Sequence, residues 1–449
     1  MLKSIKTSTL LWQIETSNLI NSWEKRVMQL KQFLLDNRNI ERDSFIWNML
    51  GSLLSAFQSV IMLVILTHTL GLTDAGIFTI AYANANLFLN IGKYGMRYFQ
   101  VSDIEQQFTF AEYKSSRIFT TITMIAVSVG YTLYTAVARG YSIEKTQIII
   151  WMCLWKAIEA IEDVYHGLYQ NKARLDIASR ALTLRLMASI FVFIVSLFIW
   201  QDQLLALILT TLTTTVLFVF FTKLTYREFD IINSKTNWKD VAKLLQICFP
   251  LFAGAFLSFY IGNAPKYAID AMLSDELQAC YGFIAMPVFV IGLLNNFIFN
   301  PMLYQMSVLW NQRNVKKFVK KTMIQMGIVV VITVVCILGA DWLGVPVLSV
   351  MYNTDLTLYK KELLILLLGG GFLGLSGLLN AVITIIRYQK SLMWGYVTIA
   401  ILAFLFSDKV VGNYGLFGAS VLYTALMGGL CIIFGLLFIR GILKGRRDK

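Results

Sequence analysis

The sequence predicts an all-α integral membrane protein of about twelve transmembrane helices in two six-helix lobes, with both termini cytoplasmic. Three observations point there. Of 449 residues 57% are apolar and only 14% are charged, where a soluble chain carries about a quarter charged residues. The apolar residues fall in long runs such as Met49 to Leu66, which holds no charge and is long enough to cross the hydrocarbon layer as a helix. The Lys and Arg residues gather at alternate connections between those runs.

In order, the runs place spans near 45–69, 76–97, 116–138, 146–170, 183–200, 203–223, 244–271, 280–305, 323–343, 361–386, 391–407 and 415–439. An even number of spans puts both termini on one side. About 32 of the 39 Lys and Arg fall on that side. They include Lys25, Arg26, Arg174, Arg180, Lys316, Lys317, Lys320, Lys321, Arg446 and Arg447. The positive-inside rule makes that side cytoplasmic. The expected divisions are a cytoplasmic extension over 1–43, an N-lobe over 44–232, a C-lobe over 233–442 and a basic tail over 443–449.

The extension lacks the apolar core of a signal peptide. Ile20, Trp23, Val27, Leu30 and Leu34 recur in it at helical steps. Such a helix either lies on the membrane surface or packs on the bundle. Leu72-Thr73-Asp74 precedes the second span and Leu273-Ser274-Asp275 precedes the eighth, about 200 residues on. That pairing suggests two parallel repeats of six spans.

A charge at mid-bilayer costs about 2.5–3.5 kcal/mol on insertion scales, so such residues normally face protein or water. The second span carries Asn86, Asn90, Lys93 and Arg97 at steps of four, three and four, which places them on one helical face. The fourth carries Lys156, Glu159, Asp163, His166 and Gln170 on one face. The seventh carries Asn263, Lys266 and Asp270 around Pro265. Asn295, Asn296 and Asn300 in the eighth span, and Asn380, Thr384 and Arg387 in the tenth, add less. The structural alternative is that these groups only fix helix packing, with Lys156–Glu159 and Lys266–Asp270 as easy intrahelical pairs. On that view Arg97 and Arg387 reach out to headgroups. Gly369, Gly370, Gly371, Gly374 and Gly377 open the tenth span and permit either close packing or bending.

Much chemistry has no residues to carry it. No phosphate-cradling Gly-x-x-x-x-Gly-Lys-Ser/Thr occurs, His68 and His166 are the only histidines, and no metal-spaced cluster is present. Neither cofactor nor metal is expected, nor a nucleic-acid partner despite a net charge of +13. The cysteines, Cys153, Cys248, Cys280, Cys336 and Cys431, sit singly in apolar stretches and are expected to be buried and inert. The external connections are too short for a catalytic domain, so an enzyme is not expected.

Several segments resemble the O-antigen and capsule-unit flippases of the multidrug/oligosaccharidyl-lipid/polysaccharide (MOP) exporter superfamily. They are Gly92-Lys93-Tyr94-Gly95-Met96-Arg97 through Asp103, and Asp163-Val164-Tyr165-His166-Gly167-Leu168-Tyr169-Gln170 with Arg174 to Asp176. Asn263-Ala264-Pro265-Lys266-Tyr267-Ala268-Ile269-Asp270, Met286-Pro287 and Phe299-Asn300-Pro301 belong with them. The resemblance spans roughly 44–440 and implies a V-shaped, MATE-like fold in a bacterial inner membrane. It implies movement of undecaprenyl-diphosphate-linked oligosaccharides to the outer leaflet for surface polysaccharide assembly, alongside a polysaccharide polymerase and glycosyltransferases. Lys93, Arg97, Lys156 and Lys266 are then the cations for the diphosphate, with Asn86, Asn90 and Asn263 beside them. Glu159, Asp163 and Asp270 either hold these cations or carry a coupling ion. A cation-coupled drug antiporter of the same superfamily, a membrane-embedded polymerase or ligase, and a non-transporting scaffold are the alternatives.

Overall fold

The computed structural model describes residues 22–447 apart from 23, 104, 230–234 and 387. Side chains at 293–301, 304, 389–390 and 444–447 are also outside the described set. Ile20, Trp23 and Arg387, and the side chains of Asn295, Asn296 and Asn300, therefore lie outside the described residues.

The described residues are helical, with no strand among them. A short helix, α1 (24–34), precedes α2 (Ile40–Thr69), α3 (Leu72–Lys93) and the short α4 (Met96–Ser102). Next come α5 (Phe110–Arg139), α6 (Ile143–Asn171), α7 (Leu175–Trp200) and α8 (Gln203–Tyr226). The second half holds α9 (Trp238–Met272), α10 (Asp275–Asn311) and α11 (Val315–Gly339), which runs through a π-helical turn into α12 (Val345–Tyr352). α13 (Lys360–Ile385) and α14 (Gln389–Arg447) close the chain, and α14 is broken at Gly415, where the backbone leaves helical angles. With α11–α12 taken as one rod and α14 as two, twelve long helices are described.

Eight helical segments are long and apolar enough to cross a membrane. α3 and α6, which carry the polar stripes, are not among them. Caps sharpen the turns between helices: the Glu112 carboxylate accepts from the Thr109 backbone N–H at the start of α5 at 2.7 Å. Ser142 and Asp202 accept backbone N–H groups at the starts of α6 and α8, and Ser274 does so at α10.

Helices α2 to α8 pack on one another, and so do α9 to α14; the two lobes meet where α3 runs against α9 and α10. The two matched tripeptides, Leu72-Thr73-Asp74 and Leu273-Ser274-Asp275, lie at that seam. Thr73, in the first turn of α3, donates to Glu276 at the start of α10 over 2.8 Å. Gly76 lies so close to α10 that a Cβ there would sit 1.8 Å from the Asp275 carbonyl oxygen. We call the face holding these turns, with residues 140–142 and 353–356, the turn face, and the opposite one the basic face.

The second span departs from the expected continuous helix. It ends at Lys93, because Tyr94 and Gly95 both take left-handed angles (φ 51° and 63°), and Arg97 belongs to the separate α4. The glycine suits this break, while Tyr94 is held in it by stacking on Phe252 of α9 at 4.6 Å between centroids. Asn86, Asn90 and Lys93 thus share one helix, and Arg97 reaches the same neighbourhood from another.

In the glycine-rich α13, Gly369, Gly370 and Gly371 meet neighbours. Gly369 lies on Tyr423, Gly370 on Val288 and Gly371 on Thr333, all close enough that a Cβ would crowd them. Close packing, the first of the two readings, accounts for these three. Cys153, Cys248 and Cys280 are buried, whereas Cys336 and Cys431 are only partly so, packed at the margin of the core.

Candidate functional site

The α3 and α6 stripes face each other inside the N-lobe. The Glu159 carboxylate takes Lys93 on one oxygen at 2.7 Å and Lys156 on the other at 2.8 Å. Four residues on, Asp163 takes Arg97 at 3.3 Å and Arg117 at 2.8 Å. Gln170 completes the row by accepting from Arg97 Nη2 at 2.9 Å. Arg97 therefore folds inward and does not reach for headgroups. Lys156–Glu159 is the intrahelical pair that the spacing allowed, extended by Lys93 from the facing helix.

Three members of this cluster carried no sequence signal of their own. Arg117 is fully buried and donates to the Gly92 carbonyl at 2.7 Å as well as to Asp163. Arg185 of α7 clasps Glu162 through two nitrogens, at 2.6 and 2.8 Å. Both arginines counted in the sequence as flanking basic residues; only the folded packing turns them inward. Glu162 lies off the face that the α6 stripe defines. The cluster holds five cations (Lys93, Arg97, Arg117, Lys156 and Arg185) against three carboxylates (Glu159, Glu162 and Asp163). Lys93 and Arg97 keep 36% and 32% of their side-chain surface accessible, so the surplus positive charge is not sealed inside the lobe.

Lys266 and Asp270 do not pair. Asp270 is a turn of helix nearer the turn face, its side chain only 2% exposed, and it binds Arg139 at 2.7 Å and Lys145 at 2.9 Å. Tyr141 donates a short hydrogen bond to it. Burial and the adjoining carboxylate raise the Tyr141 hydroxyl far above its ordinary pKa, so it stays a donor. Lys145 also holds Asp275 at 2.6 Å. These contacts join the first lobe to the second across the turn face, where they form a lock and not part of an inner cavity.

Lys266 lies deeper, with no hydrogen bond or ion pair to any described residue. It lines a cavity of about 330 Å³ between the lobes, together with Asn86 and Asn263. Those two amides donate to the carbonyls four residues back, Tyr82 and Phe259, which leaves their oxygens free for the cavity. Asn90 is turned into its own helix in the same way and does not line this space. A second cavity, of about 410 Å³, opens nearer the basic face and is lined by Arg97 and His166. The two share Ser55 and Ala56 of α2. Along one side of the molecule α9 packs on the N-lobe from end to end, with Leu244 and Cys248 against Met96 and Phe108. On the other side α2 approaches α10 through an edge-to-face contact of Phe57 with Phe289, 6.1 Å between centroids.

The structure thus separates the sequence-derived residues into three groups. Lys93, Arg97, Lys156, Glu159 and Asp163 form one network, Asn86, Asn263 and Lys266 line the central cavity, and Asp270 closes the turn face. Among the described residues no group of His, Cys, Asp or Glu is arranged to hold a metal ion.

Comparison with known proteins agrees with this architecture. No curated protein matches the chain significantly. Among solved structures, an inward-facing multidrug resistance MATE family transporter of the MOP superfamily superposes with a TM-score of 0.59 at 12% identity, covering 87% of this chain and 95% of its own. A eukaryotic MATE transporter gives 0.60 at 13% identity, over 91% and 99%. A MOP-superfamily transporter from Pyrococcus furiosus, described as having a binding pocket of reverse polarity that suggests a different function, gives 0.58 at 15% identity, over 93% and 98%. Residues 42–307 match the family described as polysaccharide biosynthesis protein. That match covers more than half of the chain, which therefore belongs to the polysaccharide biosynthesis protein family and carries the fold of MOP-superfamily transporters.

Proposed function

We propose that the chain is a flippase that moves undecaprenyl-diphosphate-linked oligosaccharide units from the cytoplasmic to the outer leaflet of a bacterial inner membrane. The observation that carries this reading is Lys266, a cation lining the central cavity with no carboxylate partner among the described residues. An unpaired charge in a low-dielectric setting is costly unless a counter-ion arrives, and a lipid diphosphate is such a counter-ion. The N-lobe cluster supports it, since its surplus positive charge is accessible at Lys93 and Arg97. Lys156, Asn86, Asn90 and Asn263 shape the surroundings of these cations, and Glu159 and Asp163 hold them in place.

The route follows from which sides are shut. The lock at Asp270 closes the turn face, taken as external by the distribution of Lys and Arg. Parting of α2 from α10, which meet through Phe57 and Phe289, would let a polyprenyl tail remain in the bilayer while the diphosphate and sugars enter. Opening the lock and closing the basic face would then deliver the glycan outward, by rocking one lobe on the other. The polymerase and glycosyltransferases of polysaccharide assembly are its expected partners at the two leaflets.

A cation-coupled drug antiporter is the competing reading, and it calls for an accessible, unpaired acid in the cavity. Glu159, Asp163 and Asp270 are instead each held by two cations, and Glu162 is clasped by Arg185. The test is reconstitution in proteoliposomes with a fluorescent undecaprenyl-diphosphate glycan and, separately, a cationic dye. Glycolipid that changes leaflet with wild type and not with Lys266→Ala supports the proposal. Transport of the dye alone would sink it.

A further inference from the structure

α2 has no charge between Asp43 and His68, and so offered no signal in the sequence. It nonetheless presents a polar face: Asn48, Ser52, Ser55 and Ser59 follow at steps of four, three and four, on one side of the helix. Asn48, Ser52 and Ser55 line the cavity at Arg97, and Ser55 and Ser59 line the cavity at Lys266. The row joins the two chambers over about 16 Å of helix, far longer than a bound ion needs.

Hydroxyls in apolar helices ordinarily bond the carbonyl four residues back, and Thr67 and Thr69 of the same helix do so, to Leu63 and Ile65. None of the four polar side chains on the cavity face has a hydrogen-bond partner among the described residues. Across the first chamber Ser179 of α7, only 3% exposed, also lines the space with its hydroxyl unpartnered. Asn48, Ser52 and Ser55 are exposed and Ser59 is half-buried, so their donors and acceptors stand open to whatever occupies the cavities. In the second chamber the row is flanked by Tyr82, Phe259 and Phe289. Neutral donors and acceptors beside aromatic faces suit a ligand that is uncharged, rich in hydroxyls and apolar on its C–H faces. That describes a sugar chain.

We propose that Asn48, Ser52, Ser55 and Ser59, with Ser179 opposite, form the track that the glycan portion of the substrate contacts as its diphosphate passes from Arg97 to Lys266. The inference rests on the flippase reading and names which part of the site meets which part of the ligand. Neutral side chains there bind sugar hydroxyls without fixing the substrate in place, as further cations would.

The test compares two ligands on the detergent-purified full chain: bare undecaprenyl diphosphate, and the glycolipid fraction that accumulates in cells depleted of the chain. The proposal expects Ser52→Ala/Ser55→Ala/Ser59→Ala to weaken glycolipid binding on the order of tenfold. It expects bare undecaprenyl diphosphate to bind that variant as it binds wild type, which also shows that the variant is folded. Lys266→Ala is expected to weaken both ligands. Equal effects of the triple variant on both ligands, or none on either, overturn the track. Equal binding of the two ligands by wild type overturns it as well. If no glycolipid accumulates on depletion, or wild type binds neither ligand, the flippase reading itself fails.

Discussion

Asp270→Ala tests the mechanical part of the account. In the described state its carboxylate is almost wholly buried and joins Arg139 and Lys145 of the first lobe to α9 of the second, with Tyr141 as a further donor. Removing one partner of a buried ion pair costs about 3–5 kcal/mol. Two features reduce that here: Arg139 is 26% exposed and recovers hydration, and Lys145 keeps Asp275 at 2.6 Å. A loss of about 2–3 kcal/mol remains, confined to the state in which the turn face is shut. Since about 1.4 kcal/mol is a factor of ten, the balance moves about 30- to 150-fold toward opening of the turn face. Spin labels at Ile143 and Leu358, both highly exposed and on opposite lobes, report this by pulsed electron resonance in a cysteine-free background. Wild type should show mainly a short distance, and Asp270→Ala a dominant longer one. Identical distance distributions would refute the lock.

Other residues give sharper local tests. Arg117→Ala leaves Asp163 buried with Arg97 alone, at 3.3 Å, and should lower stability by about 3–5 kcal/mol, seen as reduced thermal stability in detergent. Gly76→Ala sets a methyl group against the Asp275 backbone, so it should part the lobes at the turn face and reproduce the label distances of Asp270→Ala without any change of charge. Glu159→Gln removes the one negative charge shared by Lys93 and Lys156; undecaprenyl diphosphate should then bind more tightly in low salt, by several-fold, with the gain shrinking as salt is raised.

Long apolar runs and alternating basic connections made the twelve-helix architecture legible, because hydrocarbon leaves the backbone few alternatives. The α3 and α6 stripes were legible for a related reason: charge within a span demands a polar neighbour, and each stripe proved to be the other's. What the periodicity could not show was how far it holds. Arg97 continues the α3 spacing on paper, yet the left-handed Tyr94–Gly95 pair ends that helix before it. Lys266 and Asp270 stand four apart, as an ion pair would, yet Asp270 is claimed by Arg139 and Lys145 from more than a hundred residues away. Arg117 and Arg185 sit at the basic ends of their spans, where headgroup contact is the default, and only tertiary packing turns them inward. The face of α2 was silent because serine is neutral and usually satisfies itself within its helix.

The central claim is that glycolipid crosses the membrane through this chain's cationic cavity. The most direct measurement is the leaflet distribution of undecaprenyl-linked glycan in cells depleted of the chain, read by access of an impermeant glycan-modifying enzyme to the outer surface of spheroplasts. The account predicts that glycan is trapped on the inner side after depletion, released by wild type, and still trapped with a normally expressed Lys266→Ala. Glycan that reaches the outer leaflet in depleted cells and merely stays unpolymerised would contradict it.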